Sequence, residues 1–209
     1  MAEAVAARPP QRERAAAARA VRGPLLSRIA GVAMLVAALV LARDAGAAAM
    51  LSPGDAFPTW SLRDHTGATV SSQDLSGKTY LLWFYPKAMT PGCTAEGNAL
   101  RDESPALAKA GVEVLGVSFD EPRDNAEFVA AQGFPFRLLS DDGSLAVQVG
   151  AAESRDQSAT RRISYLVGPD GKVVKAYASV SPATHARDVL ADATAARAAK
   201  SAAPAPAAP

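Results

Sequence analysis

Cys93 is the single cysteine in a chain of 209 residues. A lone cysteine cannot form an internal disulfide, and its ordinary place is as a small apolar side chain in a core. Here it ends the string Pro86-Lys87-Ala88-Met89-Thr90-Pro91-Gly92-Cys93, between the apolar run Thr79–Tyr85 and a stretch of helical character from Thr94. The sulfur then falls in the first turn of a helix, where unpaired backbone N–H groups and the helix dipole favour an anion. Helix N-termini are among the places where cysteine pKa values fall, and the thiolate is the nucleophilic form. Thr90, one turn earlier, can bring a hydroxyl near the sulfur to accept or donate as attack proceeds. Pro86 ends the preceding run rigidly and can shield a pocket from water. These residue types at this spacing point to a thiolate nucleophile.

The elements that must position this group can be read around it. Pro53-Gly54-Asp55 opens as a turn, a short strand follows at Trp60–Arg63, and Asp64-His65-Thr66-Gly67 reverses the chain. Ser71–Leu75 fits one helical turn. Thr79–Tyr85 and Val112–Phe119 read as strands buried on both faces. A helix is expected over Thr94–Asp102, with Ser104-Pro105 starting a new one, because serine caps well and proline suits a first helical position. Glu121–Gln132 reads as a helix stopped by Gly133, Phe136–Ser140 as a short strand and Leu145–Val149 as a short helix. Ile163–Val167 is a further core strand. Gly168-Pro169-Asp170-Gly171 turns it into an antiparallel partner, Lys172–Tyr177, and a last helix covers Pro182–Ala196, capped by Ser181. Strands alternating with helices, closed by a hairpin and a helix, imply an α/β, thioredoxin-like fold: a mixed central sheet flanked by helices.

The pattern P-x-x-x-T-x-x-C, here Pro86, Thr90 and Cys93, resembles the active-site signature of peroxiredoxins. FYPKAMTPGCTAEGNALRD, Phe84 to Asp102, and RISYLVGPDGKV, Arg162 to Val173, are similar to the Q-type bacterial subfamily, the bacterioferritin comigratory proteins. The likeness spans about residues 51–195. It implies that Arg162 is the active-site arginine, stabilising the Cys93 thiolate and binding a peroxide oxygen. A cation opening a buried strand must face something negative, which agrees. Arg161 is the competitor; alternation along a strand points the two oppositely, leaving Arg161 as a solvated charge. Many Q-type members carry a resolving cysteine five residues after the first. Asn98 stands there in this chain, so a sulfenic acid at Cys93 cannot be resolved internally.

Composition bounds the rest. With 22 Lys+Arg against 21 Asp+Glu, no basic field suggests nucleic acid. Nearly all aromatics lie between Phe57 and Tyr177, so the globular domain is expected at 50–196, with 197–209 a disordered Ala/Pro tail. Before it, Arg8, Arg12, Arg14, Arg19, Arg22 and Arg28 precede an apolar run of 14 residues, Ile29–Ala42, and then the small residues after Asp44. These are the parts of a secretory signal, with cleavage near Ala47 or Ala49, and retention as an amino-terminal membrane anchor is the other reading. Either exports the domain, to the periplasm in a bacterium.

Other signals carry less. Ser76-Gly77-Lys78-Thr79 ends like a phosphate loop, but Ser72 replaces the glycine its cradle needs. His65 and His185 have no Cys or His at metal spacing and are expected in solvent. Asp120-Glu121 and Asp141-Asp142 fit turn and cap duties better than calcium. Glu96 either orients an arginine or lies exposed on its helix.

The activity these residues imply is thiol-dependent reduction of hydrogen peroxide or alkyl hydroperoxides, with no metal or organic cofactor. The partners expected are the peroxide and an external thiol, a thioredoxin-like protein or a small thiol, with the enzyme a monomer or weak homodimer. A disulfide exchanger needs C-x-x-C, and Thr90 occupies the first position. A non-catalytic thioredoxin-fold binding or redox-sensing module is the alternative from another class. A scaffold, however, has no use for Pro86, Thr90, Cys93 and Arg162 together.

Overall fold

The computed structural model describes residues 49–202. The expected signal segment and the end of the Ala/Pro tail, residues 203–209, lie outside them. Seven strands form one mixed sheet in the order β2-β1-β5-β4-β3-β6-β7. They are β1 Ser61–Asp64, β2 Thr69–Ser71, β3 Thr79–Phe84, β4 Val112–Ser118, β5 Arg137–Ser140, β6 Ile163–Val167 and β7 Val173–Tyr177. The helices are α1 Pro91–Lys109, α2 Pro122–Gln132, α3 Ser144–Gln148 and α4 His185–Ala202. Strands β3, β4 and β5 run parallel, while β6 lies antiparallel on the other flank of β3.

Every residue of β3 after Thr79 is buried, because the sheet is covered on both faces. Tyr80, Leu82 and Phe84 pack on one side with Tyr165, Leu145 and Val149. Leu81 and Trp83 point to the other, with Tyr85 just beyond the strand, where Leu100 and Leu107 of α1, Phe128 of α2 and Val189 of α4 cover them. That second layer contains Cys93. It can be thin because Gly97 lies against the sheet: a Cβ there would sit 2.5 Å from Phe134 Cζ and 3.1 Å from Trp83 Cη2.

Two expectations are corrected. Helix α1 does not break at Ser104-Pro105 but runs on through Pro105 to Lys109. Proline removes one backbone donor, yet Leu100 and Leu107, seven residues apart and both fully buried, tie the two halves to the same sheet face. Ser104 does not cap a new helix; its hydroxyl donates back to the Leu100 carbonyl at 2.7 Å. The last helix begins at His185, after a turn in which the Ser181 carbonyl accepts from Thr184 and His185 N–H. It continues past Ala196 to Ala202, so residues expected in the tail are helical.

Candidate active site

The loop between β3 and α1 is held from its neighbours. The Tyr85 N–H donates to the Val117 carbonyl at 3.0 Å, and the buried Thr160 hydroxyl donates to the Tyr85 carbonyl at 2.9 Å. Half-buried Pro86 follows. Buried Asp120, just beyond β4, accepts from the Ala88 N–H at 2.8 Å and from Lys87 Nζ at 3.0 Å. That second bond raises the Lys87 pKa above the ordinary lysine value. Pinned this way, Met89 takes a left-handed backbone, φ 62°, and the residue is 56% exposed. A non-glycine residue there is strained by about 1–2 kcal/mol, which the anchored loop sustains. In the sequence Asp120 reads as a turn residue. Its task in holding the loop depends on a parallel neighbour that sequence spacing does not reveal.

Thr90 is the N-cap of α1, with an extended backbone and no side-chain cap bond, and Pro91 follows in the first turn. The first helical hydrogen bond runs from the Thr94 N–H to the Thr90 carbonyl at 2.8 Å. Cys93 therefore sits inside the first turn, where backbone donors lack helical acceptors. Its side chain is fully buried. The Thr90 hydroxyl does not turn to the sulfur; it donates to the Lys87 carbonyl at 2.9 Å, closing the loop on itself.

Arg162 arrives from the other flank of β3. In the antiparallel register Phe84 pairs with Ile163, so the residue before β6 lies at the same sheet end as the residue after β3. Ile163 and Tyr165 face the layer opposite the cysteine, and Leu166 faces the cysteine layer. Arg162 shares the Leu166 side by alternation. Its Nη2 donates to the Cys93 sulfur at 3.3 Å, and its Nη1 to Glu96 Oε2. Burial works against the guanidinium charge, but the bonds to Glu96 and Cys93 outweigh it and hold the Arg162 pKa above the ordinary arginine value. Gly92 leaves the room: a Cβ there would lie 3.1 Å from Arg162 Nη2. Arg161 is exposed and donates instead to the Gly150 carbonyl at 3.1 Å.

Glu96 and His185 are both buried, and His185 Nδ1 stands 2.8 Å from Glu96 Oε1. The expectation that His185 lies in solvent is overturned. A surface helix is expected there, yet His185, Val189 and Ala193 recur every four residues and form its buried stripe. That spacing is the signal the sequence offers. His65 is half-buried, and its Nδ1 accepts from the Leu138 N–H at 3.3 Å. Asp141 caps α3, accepting from the Leu145 and Ala146 N–H groups, as its turn-and-cap reading has it. Asn98 takes a hydrogen bond from Arg101 Nη1 at 3.0 Å.

A helix-start sulfur facing a guanidinium is an arrangement for a stabilised thiolate, and comparison with known proteins leads the same way. The AhpC/TSA family model matches residues 53–176. Peroxiredoxin Bcp of Escherichia coli K12 is 38% identical over 146 residues, covering 67% of this chain and 94% of that protein. The crystal structure of peroxidoxin BcpB from Mycobacterium tuberculosis superposes with a TM-score of 0.65 at 32% identity, over 69% of this chain and 97% of that one. The Xanthomonas campestris bacterioferritin comigratory protein, studied for alkyl peroxide reduction, has a TM-score of 0.61 at 34% identity, over 66% of this chain and 91% of its own. The chain belongs to the AhpC/TSA family and, within it, is a thiol-dependent peroxidase of the Bcp and Q-type peroxiredoxin kind.

Proposed function

We propose that Cys93 is the peroxidatic cysteine of a one-cysteine cycle that reduces hydrogen peroxide and alkyl hydroperoxides. The observation that carries it is the Arg162 Nη2 to Cys93 Sγ hydrogen bond, 3.3 Å long, on a sulfur in the first turn of α1. The thiolate attacks the terminal peroxide oxygen; an S–O bond forms, the O–O bond breaks, and the departing oxygen takes a proton to leave as water or alcohol. Arg162 and the free backbone donors of the first turn stabilise the charge that moves from sulfur to the leaving oxygen. Thr90 and Pro86 shape the approach: Thr90 closes the loop through Lys87, and Pro86 ends the strand beneath it.

Cys93 is the only cysteine of the chain, so the sulfenic acid is resolved by an external thiol. One thiol condenses with it to a mixed disulfide and water, and a second releases the Cys93 thiol as the reductant is oxidised. A thioredoxin-like protein or a small thiol fits this role. The basic amino-terminal segment, apolar run and small residues ahead of the domain support an exported enzyme, periplasmic in a bacterium, released by cleavage or held by an anchor. A monomer or weak homodimer is the form proposed.

The test is stopped-flow oxidation of the purified domain by hydrogen peroxide, read by tryptophan fluorescence, with mass spectrometry of Cys93. Wild type gains one oxygen at Cys93 and consumes peroxide with a thiol present. Cys93→Ser stays folded and does neither; peroxide consumption by that variant would refute the assignment.

A further inference from the structure

Two anions share one guanidinium in this site. When Cys93 is a thiolate, Arg162 faces it through Nη2 and faces the Glu96 carboxylate through Nη1. Glu96 has no solvent exposure, so its second oxygen, Oε1, cannot turn to bulk water. A carboxylate with one oxygen bound and the other free of protein partners would gain by swinging both oxygens onto the guanidinium fork, since bidentate pairing is the favoured geometry. That swing would draw Nη2 off the sulfur. Something must hold Oε1 away, and the group beside it is His185 Nδ1, 2.8 Å distant.

The proton on that imidazole follows from its surroundings. A bare Nδ1 at this distance would set one lone pair against another, so Nδ1 carries hydrogen. The approach lacks the alignment of a full hydrogen bond, and neither Nε2 nor Oε1 has another partner among the described residues. The other charged and titratable groups near His185 are engaged elsewhere. Asp188 accepts from the Thr184 hydroxyl at 3.0 Å, and Asp192 accepts from the Tyr177 hydroxyl at 2.9 Å, with Lys175 Nζ at 4.0 Å. The Tyr177 ring packs edge-on against the imidazole at 5.2 Å. Nδ1 is thus the nitrogen whose hydrogen faces Glu96, and the buried Nε2 has no acceptor among the described residues.

We propose that His185 is a positioning residue for the peroxide reaction: its Nδ1–H holds Glu96 Oε1, and the restrained Glu96 keeps Arg162 divided between carboxylate and sulfur. The carboxyl-terminal helix α4 thereby sets the reactivity of a cysteine on α1 that it does not touch through His185 itself. The inference rests on the reading of Cys93 and Arg162 as the reacting pair.

His185→Leu removes the donor while keeping an apolar side chain under α4. It should slow iodoacetamide alkylation of Cys93 at neutral pH, and peroxide attack with it, by about ten- to a hundredfold, and shift the alkylation profile to higher pH. His185→Asn, whose amide nitrogen can take the place of Nδ1, should recover most of the lost rate; a purely structural role would not distinguish the two in this way. In a Glu96→Ala background, His185→Leu should add no further loss. Nitrogen-15 spectra of the folded wild type should show hydrogen on Nδ1, a readout that stands even where the leucine variant fails to fold. Wild-type alkylation in folded His185→Leu, an asparagine variant no better than the leucine one, or a bare Nδ1 would each overturn the proposal. If Arg162→Ala itself leaves alkylation unchanged, the reading of the reacting pair fails; if Arg162→Ala is slow and His185→Leu is not, only the role of His185 fails.

Discussion

Arg162 lies 69 residues beyond Cys93 in the chain, yet its Nη2 is 3.3 Å from the Cys93 sulfur. The contact exists because β6 runs antiparallel to β3, bringing the start of one beside the end of the other. A single guanidinium is thus presented at the mouth of the first turn of α1, with Glu96 and Cys93 as its two acceptors.

Arg162→Ala should slow peroxide attack on Cys93 by about 10²–10³-fold, the usual cost of removing one donor from a developing charge. The thiol should also alkylate more slowly at neutral pH. Arg161→Ala removes only an exposed side chain bonded to the Gly150 carbonyl and should change either rate by less than about threefold. Alkylation and peroxide kinetics across pH check both variants. Equal effects would mean that the sulfur senses both charges.

One equivalent of peroxide should leave sulfenic acid at Cys93, trapped by dimedone and seen as a single adduct without an internal disulfide. Excess peroxide should carry the same sulfur on to sulfinic acid, since no thiol of the chain can intercept it. Asn98→Cys places a thiol five residues along α1 and removes the Arg101 contact. A disulfide between Cys93 and this introduced thiol needs local unwinding, because the two positions diverge around the helix. Mass spectrometry after oxidation should find that bond in the variant. A Cys93–Cys93 dimer as the main wild-type product would redraw the cycle around two subunits.

Gly97→Ala tests the closeness of α1 to the sheet. The new methyl would meet Phe134 Cζ at 2.5 Å, and Phe134 is itself wedged between Phe128 and Phe136. The gain in helix propensity, about 1 kcal/mol, should be outweighed by overpacking, for a net loss of about 1–2 kcal/mol. Chemical denaturation measures it. A stabilised variant would show that the aromatic layer yields freely.

Asp64 predicts a pH dependence of stability. Burial works against its charge, but hydrogen bonds from the Thr66 hydroxyl at 2.6 Å, the Thr66 N–H at 2.9 Å and the Ala68 N–H at 3.1 Å prevail, and its pKa falls below the ordinary aspartate value. A carboxylate with a depressed folded-state pKa stabilises the fold above its unfolded value, about 3.9. That contribution is lost as pH falls through the lower folded value. Asp64→Asn should be less stable than wild type by about 1–3 kcal/mol at pH 7, and the difference should shrink below about pH 4. Thermal unfolding from pH 7 to pH 3 checks it, and a constant difference would exclude the ionised carboxylate as the cause.

Local pattern in the sequence is sufficient for the helix-start position of Cys93 and for most of the elements. Cys93 can be placed at a helix start because proline, glycine and a preceding apolar run act within a few residues, and strand burial shows in the unbroken run at β3. The side of Arg162 is likewise legible, since period-two alternation is a local rule. Glu96 stands between two roles in the sequence, and only the approach of Arg162 across the sheet decides for the first. The continuity of α1 through Pro105 is decided by packing, because Leu100 and Leu107 gain more from one shared sheet face than the proline costs in a missing donor. The anchoring of the loop by Asp120, the turning of Thr90 toward Lys87 and the burial of His185 against Glu96 are also settled by tertiary structure. Each depends on which strand or helix lies beside another, and a polar side chain in a sequence carries no mark of whether its partner, residues away, will remove it from water.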